Sequence, residues 1–448
     1  MGATARRTDR LATDREILRL AVPAFGALVA EPLFLLADSA VVGRLGTPPL
    51  AGLGIAGSVL ASAIGVFVFL AYGTTAAVAR RVGAGDLRAA VEDGIDGVWL
   101  AALIGAATAV LGFVFAPQVV AGFSASGAVA EQAVIYLRWS LPGLPAMLVV
   151  LAATGILRGL QDTRTPLLVA AAGAAANLVL SIGLVHGAGM GIAGSALGTV
   201  LAQAGMAVAF LVVVVRAARR TGAALRPDAA GLLRVGRVGL PLLVRTLTLR
   251  AALLVTTYVA VAQGDAELAA HQVATVLWGF LALALDAVAI AGQALTGRAL
   301  GAGDGEAARA LTRRMLVWGI GAGVVLGAGV LALRPVLAPL FSPEPEVQGA
   351  LVAVLVVVAV TQPLAGWVFV LDGVLIGAGD GRYLAVAGLI TLVGYLPFAL
   401  LVLASPVAGT AGLVWLWVAF AGGFMLVRAI TLGLRLRSGA WLVMGAVR

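Results

Sequence analysis

RRVGAGDLRAA (80–90) and RALGAGDGEAA (298–308) share the tetrapeptide Gly-Ala-Gly-Asp, and the second copy begins 218 residues after the first, Gly83 to Gly301. A third copy lies in LIGAGDGRYLA (375–385). Glycine-rich turns ending in a carboxylate invite comparison with a phosphate cradle. That chemistry needs a lysine and a serine or threonine directly after the turn, and no copy has them. The spacing points to architecture instead. Pro23 matches Pro241, Gly46 matches Gly264, and Leu50-Ala51 matches Leu268-Ala269 at the same offset. So do Gly155-Ile156-Leu157 with Gly373-Val374-Leu375, Asp162 with Asp380, and Gly191-Ile192-Ala193-Gly194 with Gly409-Thr410-Ala411-Gly412. Chance matches among abundant glycines and alanines would scatter across offsets. The chain is an internal duplication.

Composition says what is duplicated. The 448 residues are 61% hydrophobic and 11% charged, with a mean hydropathy of +1.07, where a soluble protein carries about 25% charged residues. Apolar runs of about eighteen residues or more recur, each long enough for ~30 Å of hydrocarbon. We read an all-α polytopic membrane protein of twelve spans, six to a copy. An even number per copy places the two copies in the same orientation, as parallel repeats of the kind found in secondary transporters. The plainer alternative is a duplicated channel or structural membrane protein.

The expected organisation is a leader at 1–16, an N-lobe at 17–215, a linker at 216–233, a C-lobe at 234–433 and a tail at 434–448. Thr13-Asp14-Arg15-Glu16 has the form of a capping box opening the first long helix. The leader lacks the cleavage pattern of a removable signal peptide. All 30 basic residues are arginine, and they gather in alternate connections: Arg80 to Arg88, Arg158 and Arg164, 216–237, 298–314 and Arg382. By the positive-inside rule this is a topology signal; it puts both termini in the cytoplasm and argues against a nucleic-acid partner. There are no cysteines, so disulfides and thiolate metal sites are excluded. No spacing suggests a metal or cofactor, and nothing suggests an enzyme.

Ionisable and polar groups inside spans are site candidates. Glu31 and Asp38 in the first span are seven residues apart and share a face. Asn177 and Ser181 on the fifth span, and Thr199 and Gln203 on the sixth, are each i,i+4 pairs. With Thr154 on the fourth span they would form one polar cluster around Asp38. The plainer reading has the neutral groups bonding to neighbouring helices or to carbonyls one turn back. No arginine lies at matching depth on spans one to three. Desolvation favours the neutral form of a carboxylate, which makes Asp38 the candidate proton carrier.

The second copy carries different chemistry: Arg245 and Arg250 on span seven, Asp286 on span eight and Asp372 on span ten. Mutual neutralisation is the favoured reading, with cation binding by Asp286 or Asp372 as the alternative. His186 and His271 are expected in hydrogen-bonded interfaces. Gly189-Met190-Gly191-Ile192-Ala193-Gly194 satisfies G-x-G-x-x-G, yet it joins two membrane helices and has none of the strand context a dinucleotide fingerprint needs.

PAFGALVAEPLFLLADSAVVGRLGTPPLAGLGIA, LRGLQDTRTP, NLVLSIGLVHGAGMGIAGSALGT and AAHQVATVLW, in order with ALDAVAIAGQALTGRALGAGD and LDGVLIGAGDGRY, resemble the multidrug and toxic compound extrusion (MATE) family. The last three resemble its DinF-like branch. The resemblance covers about residues 15–435. It implies two six-helix lobes, a central cleft, and export of small cationic or amphipathic compounds in exchange for protons or sodium across the cytoplasmic membrane. It also implies that Asp38 is the family's first-helix aspartate, Thr154, Asn177 and Thr199 its polar partners, and Pro23 the kink-bearing proline of the first helix. Ser181 stands where many prokaryotic members have a second carboxylate. Asp372 matches an aspartate that another branch uses for sodium, but span seven offers no acidic partner. The expectation is therefore a monomeric drug/proton antiporter, with a flippase for a lipid-linked or amphipathic metabolite as the alternative.

Overall fold

The computed structural model describes residues 3–125 and 127–447, with side chains from Leu11 onward. Twelve helices among them are long and apolar enough to cross a membrane. In chain order they are α1 (Ala3–Gly43), α2 (Thr47–Gly83), α3 (Leu87–Ala121), α4 (Gly127–Gly159), α5 (Arg164–Gly187), α6 (Ile192–Thr221), α7 (Ala229–Val261), α8 (Asp265–Gly301), α9 (Gly305–Phe341), α10 (Pro345–Gly377), α11 (Gly381–Ala404) and α12 (Gly409–Ser438). Some are locally irregular. Leu141-Pro142-Gly143 makes a 3₁₀ turn within α4, where the proline has no N–H to continue the ladder. α5 ends in a wider π-type turn at Gly183–Gly187, and α12 contains another at Val418–Phe424.

The Gly-Ala-Gly-Asp turns are helix-to-helix hinges. Gly85, Gly303 and Gly379 have φ of +80°, +76° and +69°, which glycine adopts without the penalty a Cβ would bring. The aspartate then caps the next helix. Asp86 accepts from the Ala89 N–H at 2.9 Å and Asp304 from the Ala307 N–H at 2.8 Å. Asp380 takes Arg435 instead, at 2.6 and 3.1 Å. One expectation fails here: α1 already runs from Ala3, so Thr13 is not its cap. The acids of that stretch are used otherwise, as described below.

The chain forms two compact units, Val22–Gly239 and Leu240 onward together with the residues through Ala21. The duplication is visible in their packing. In the first unit a Cβ on Gly155 would come within 2.5 Å of the Ala71 carbonyl oxygen; in the second, one on Gly373 would come within 2.5 Å of that of Ala289. Likewise Gly105 lies against Pro145 and Gly323 against Pro363. Each is the same repeat contact between equivalent helices, where small residues let membrane helices approach closely.

Both units hold a segment delivered by a helix that continues elsewhere. In the second unit, Asp14 of α1 accepts from Arg314 and from the Trp318 indole at 2.8 Å, while Glu16 lies 3.6 Å from Arg298. In the first unit, Arg234 of α7 lies 3.0 Å from Asp93 and 4.0 Å from Asp96. Glu16 and Arg234 are repeat equivalents, as are Arg314 and Asp96. Each unit therefore holds such a segment by ion pairs, with acids on the segment in the second unit and an arginine on it in the first. The paired positions differ, since Arg314 takes Asp14 and Glu16 takes Arg298.

Candidate functional site

Asp38 of α1 is 2% exposed and is held by hydroxyls from three other helices of the first unit. Thr199 of α6 donates to it at 3.0 Å, Ser181 of α5 at 3.1 Å and Tyr136 of α4 at 3.3 Å. Asn177 fixes Thr199 by donating its side-chain N–H at 2.9 Å. No arginine or histidine among the described residues forms an ion pair with Asp38. Its charge, when present, is met directly by hydroxyl dipoles.

A cavity of about 200 Å³ opens beside it, lined by Glu31, Asp38, Tyr136, Thr154, Thr199 and Gln203 together with Arg158 and an apolar wall that includes Phe34 and Met147. Asn177 and Ser181 are fully buried outside that lining, Ser181 bonding the acid directly and Asn177 through Thr199. The side-chain oxygens of Asn177 and Gln203 lack a protein donor among the described residues. The seven polar positions singled out on the first-copy spans thus fall at or around one cavity. Thr154 lines it without bonding to Asp38.

Tyr136 was not anticipated. A tyrosine in a membrane helix reads from sequence as an interface anchor; the available signal was the rule that a buried phenol finds a hydrogen-bond partner.

The second unit places Arg245, Asp372 and Arg428 together. Arg245 engages both carboxylate oxygens of Asp372, with Nε to Oδ1 at 3.1 Å, and Arg428 of α12 lies 3.2 Å from Oδ1. All three are buried, and the charge of Asp286 on α8 acts on Arg428. The expected set needs correction. Arg250 is exposed because five residues beyond Arg245 turn a helix by roughly 140° to another face. Asp286 is only half-buried. Arg428 supplies the second cation, and the rule that flags intramembrane charges would have found it.

The repeat makes the divergence plain. Asp38, Asn177 and Thr199 correspond to Thr256, Tyr395 and Trp417, where Tyr395 and Thr256 share a hydrogen bond of 2.6 Å inside a ring cluster with Phe420 and Phe424. His271 joins that cluster, sharing a hydrogen bond with Thr257 at 3.2 Å and packing on Trp417. His186 is exposed, against expectation. No group of three or more His, Asp or Glu that would hold a metal occurs among the described residues.

Comparison with known proteins bears on the fold and its duplication. A family model described as MatE matches residues 23–183 and 241–401, two stretches related by the same 218-residue offset. The chain is 32% identical over 447 residues to Protein DETOXIFICATION 44, chloroplastic, of Arabidopsis thaliana, covering 95% of this chain and 81% of that protein. It is 28% identical over 445 residues to DNA damage-inducible protein F of Escherichia coli (strain K12), covering 96% and 94%. Its fold matches the crystal structure of MATE in the bent conformation with a TM-score of 0.87 at 24% identity, covering 96% of each chain. With the family model matched once in each copy of its own duplication, the chain belongs to the MatE family of multidrug and toxic compound extrusion transporters.

Proposed function

We propose that the protein is a secondary antiporter that exports small cationic or amphipathic compounds in exchange for protons, with Asp38 as the proton-carrying group. The observation that carries this reading is the setting of Asp38: buried, without an ion-pair partner, and bonded to three hydroxyls at the edge of a cavity. A hydroxyl both donates and accepts. The shell can therefore point all three donors at the anion, or turn one to accept from the neutral acid, without leaving a buried polar group unpaired. A fixed cation in place of the hydroxyls would hold the acid in one state.

The cavity supplies the other half of an exchange. Glu31 and Asp38 attract a cation, the unpartnered oxygen of Gln203 accepts a hydrogen bond, and Phe34 and Met147 meet an apolar body. Substrate cation and proton then compete for the same carboxylate. In this scheme deprotonated Asp38 favours the loaded state, and protonation weakens substrate binding and rearranges α1 near Pro23, the hinge. Both termini lie in the cytoplasm, the side on which the arginine-bearing turns gather, and the working unit is a monomer in the cytoplasmic membrane.

Sodium coupling through the second unit fits less well. Asp372 already has both oxygens engaged by Arg245 and one by Arg428, so a sodium ion would have to displace guanidinium groups. Proteoliposomes with proton and sodium gradients imposed separately test the proposal. Transport of a lipophilic cation is expected under the proton gradient alone; transport driven only by sodium overturns it.

A further inference from the structure

Each unit carries an apolar groove between its fourth and sixth helices at overlapping repeat positions, the first groove being walled by the third helix as well. In the first unit it has a volume of about 300 Å³ and is walled by Trp99 of α3, Val149 of α4 and Leu211 and Val215 of α6. In the second it has about 310 Å³ and is walled by Trp367 of α10 and by Ala429, Ile430 and Gly433 of α12. Val149 and Trp367, Leu211 and Ala429, and Val215 and Gly433 are equivalent residues of the duplication. The side chains have changed, but their apolar character has not. Trp99 and Ile430 are 42% and 54% exposed on helices long and apolar enough to cross a membrane. A carbonyl from the linker fixes the first indole, Leu225 O accepting from Trp99 Nε1 at 3.1 Å.

One charged position is common to both. Arg437 lines the second groove one turn beyond Gly433, and Arg219 sits one turn beyond Val215 on the same face of α6. Both are exposed, and neither has an ion-pair or hydrogen-bond partner among the described residues. The flanking positions have not kept their charge: Arg216 faces Leu434 across the repeat, and Arg220 faces Ser438. By contrast, other arginines near these helix ends are committed, Arg81 and Arg234 to Asp93 and Arg435 to Asp380.

We propose that these grooves are a pair of anionic phospholipid sites, one per unit, in the leaflet on the arginine-rich side. An acyl chain lies along the apolar wall, and the phosphate is held by Arg219 or Arg437. A guanidinium matches a phosphate with two parallel hydrogen bonds, and basic residues at helix ends draw anionic headgroups. A cationic substrate would meet the wrong sign of charge at the mouth.

The two tryptophans make the sites measurable in the intact protein. Reconstituted wild type is titrated with brominated phosphatidylglycerol or brominated phosphatidylcholine, and the signals of Trp99 and Trp367 are isolated by subtracting Trp99→Phe and Trp367→Phe. Half-quenching of both is expected at about five-fold lower mole fraction of the anionic lipid, the effect of one basic residue at an anionic surface. Arg219→Gln removes that preference at Trp99 and spares Trp367; Arg437→Gln does the reverse, and Arg→Lys at either site keeps only the part owed to charge. Equal quenching by the two lipids, or a preference that survives both glutamine substitutions, overturns the assignment. Protection of either indole by micromolar tetraphenylphosphonium also overturns it, giving the grooves to substrate.

Discussion

Asp38 is the residue on which the account turns, and its neighbours set the size of the expected effects. Asp38→Asn keeps the shape and the hydrogen bonds but cannot exchange a proton. Transport driven by a proton gradient is expected to fall at least ~10-fold in proteoliposomes, with the purified protein still monodisperse. Tyr136→Phe removes one of three donors, a loss of about 1 kcal/mol that should weaken apparent substrate affinity by roughly five-fold without abolishing transport. In the second unit, Arg245→Met strips Asp372 of its two-point partner and should cost about 3 kcal/mol in unfolding experiments. Arg250→Gln, on an exposed face, should change stability by no more than ~0.5 kcal/mol. At this scale the sequence was readable wherever a polar group stood alone in an apolar run, as Asp38, Asn177 and Thr199 do. Tyr136 was hidden because an amphipathic side chain near a span end reads as one reaching for the interface. Arg428, by contrast, stands inside a span, and the rule for intramembrane charges reaches it.

Among the elements, the spans and the hinge turns were legible because hydropathy and glycine chemistry are local. The leader was not. Thr13 to Glu16 carries a capping pattern, but the helix continues through it, and Asp14 spends its carboxylate on Arg314 and Trp318 instead. A cap and a salt bridge draw on the same acid, and only three-dimensional proximity decides between them. The pairing predicts coupling: Asp14→Ala and Arg314→Ala should each destabilise, and the double variant should lose less than the sum by about 1 kcal/mol, measured as a double-mutant cycle in denaturant. Independent, additive losses would show that the contact carries no energy.

For the molecule as a whole, a duplicated fold has been given two chemistries. Asp38 of the first unit corresponds to Thr256 of the second, and Thr154 of the first to Asp372 of the second, so the acid stands on the first helix of one copy and on the fourth helix of the other while the packing glycines have stayed. The unit boundaries after Ala21 and Gly239 are themselves repeat equivalents, two residues before Pro23 and Pro241. The offset disclosed the duplication; which segment packs in which unit depends on charge pairs that hydropathy does not encode. The central claim is that substrate and proton compete for Asp38, and proton release on binding tests it most directly. Tetraphenylphosphonium added to the detergent-solubilised protein in weakly buffered solution should release close to one proton per bound cation in wild type and none in Asp38→Asn. Release that persists undiminished in the variant, or its absence in wild type despite binding, would contradict the account.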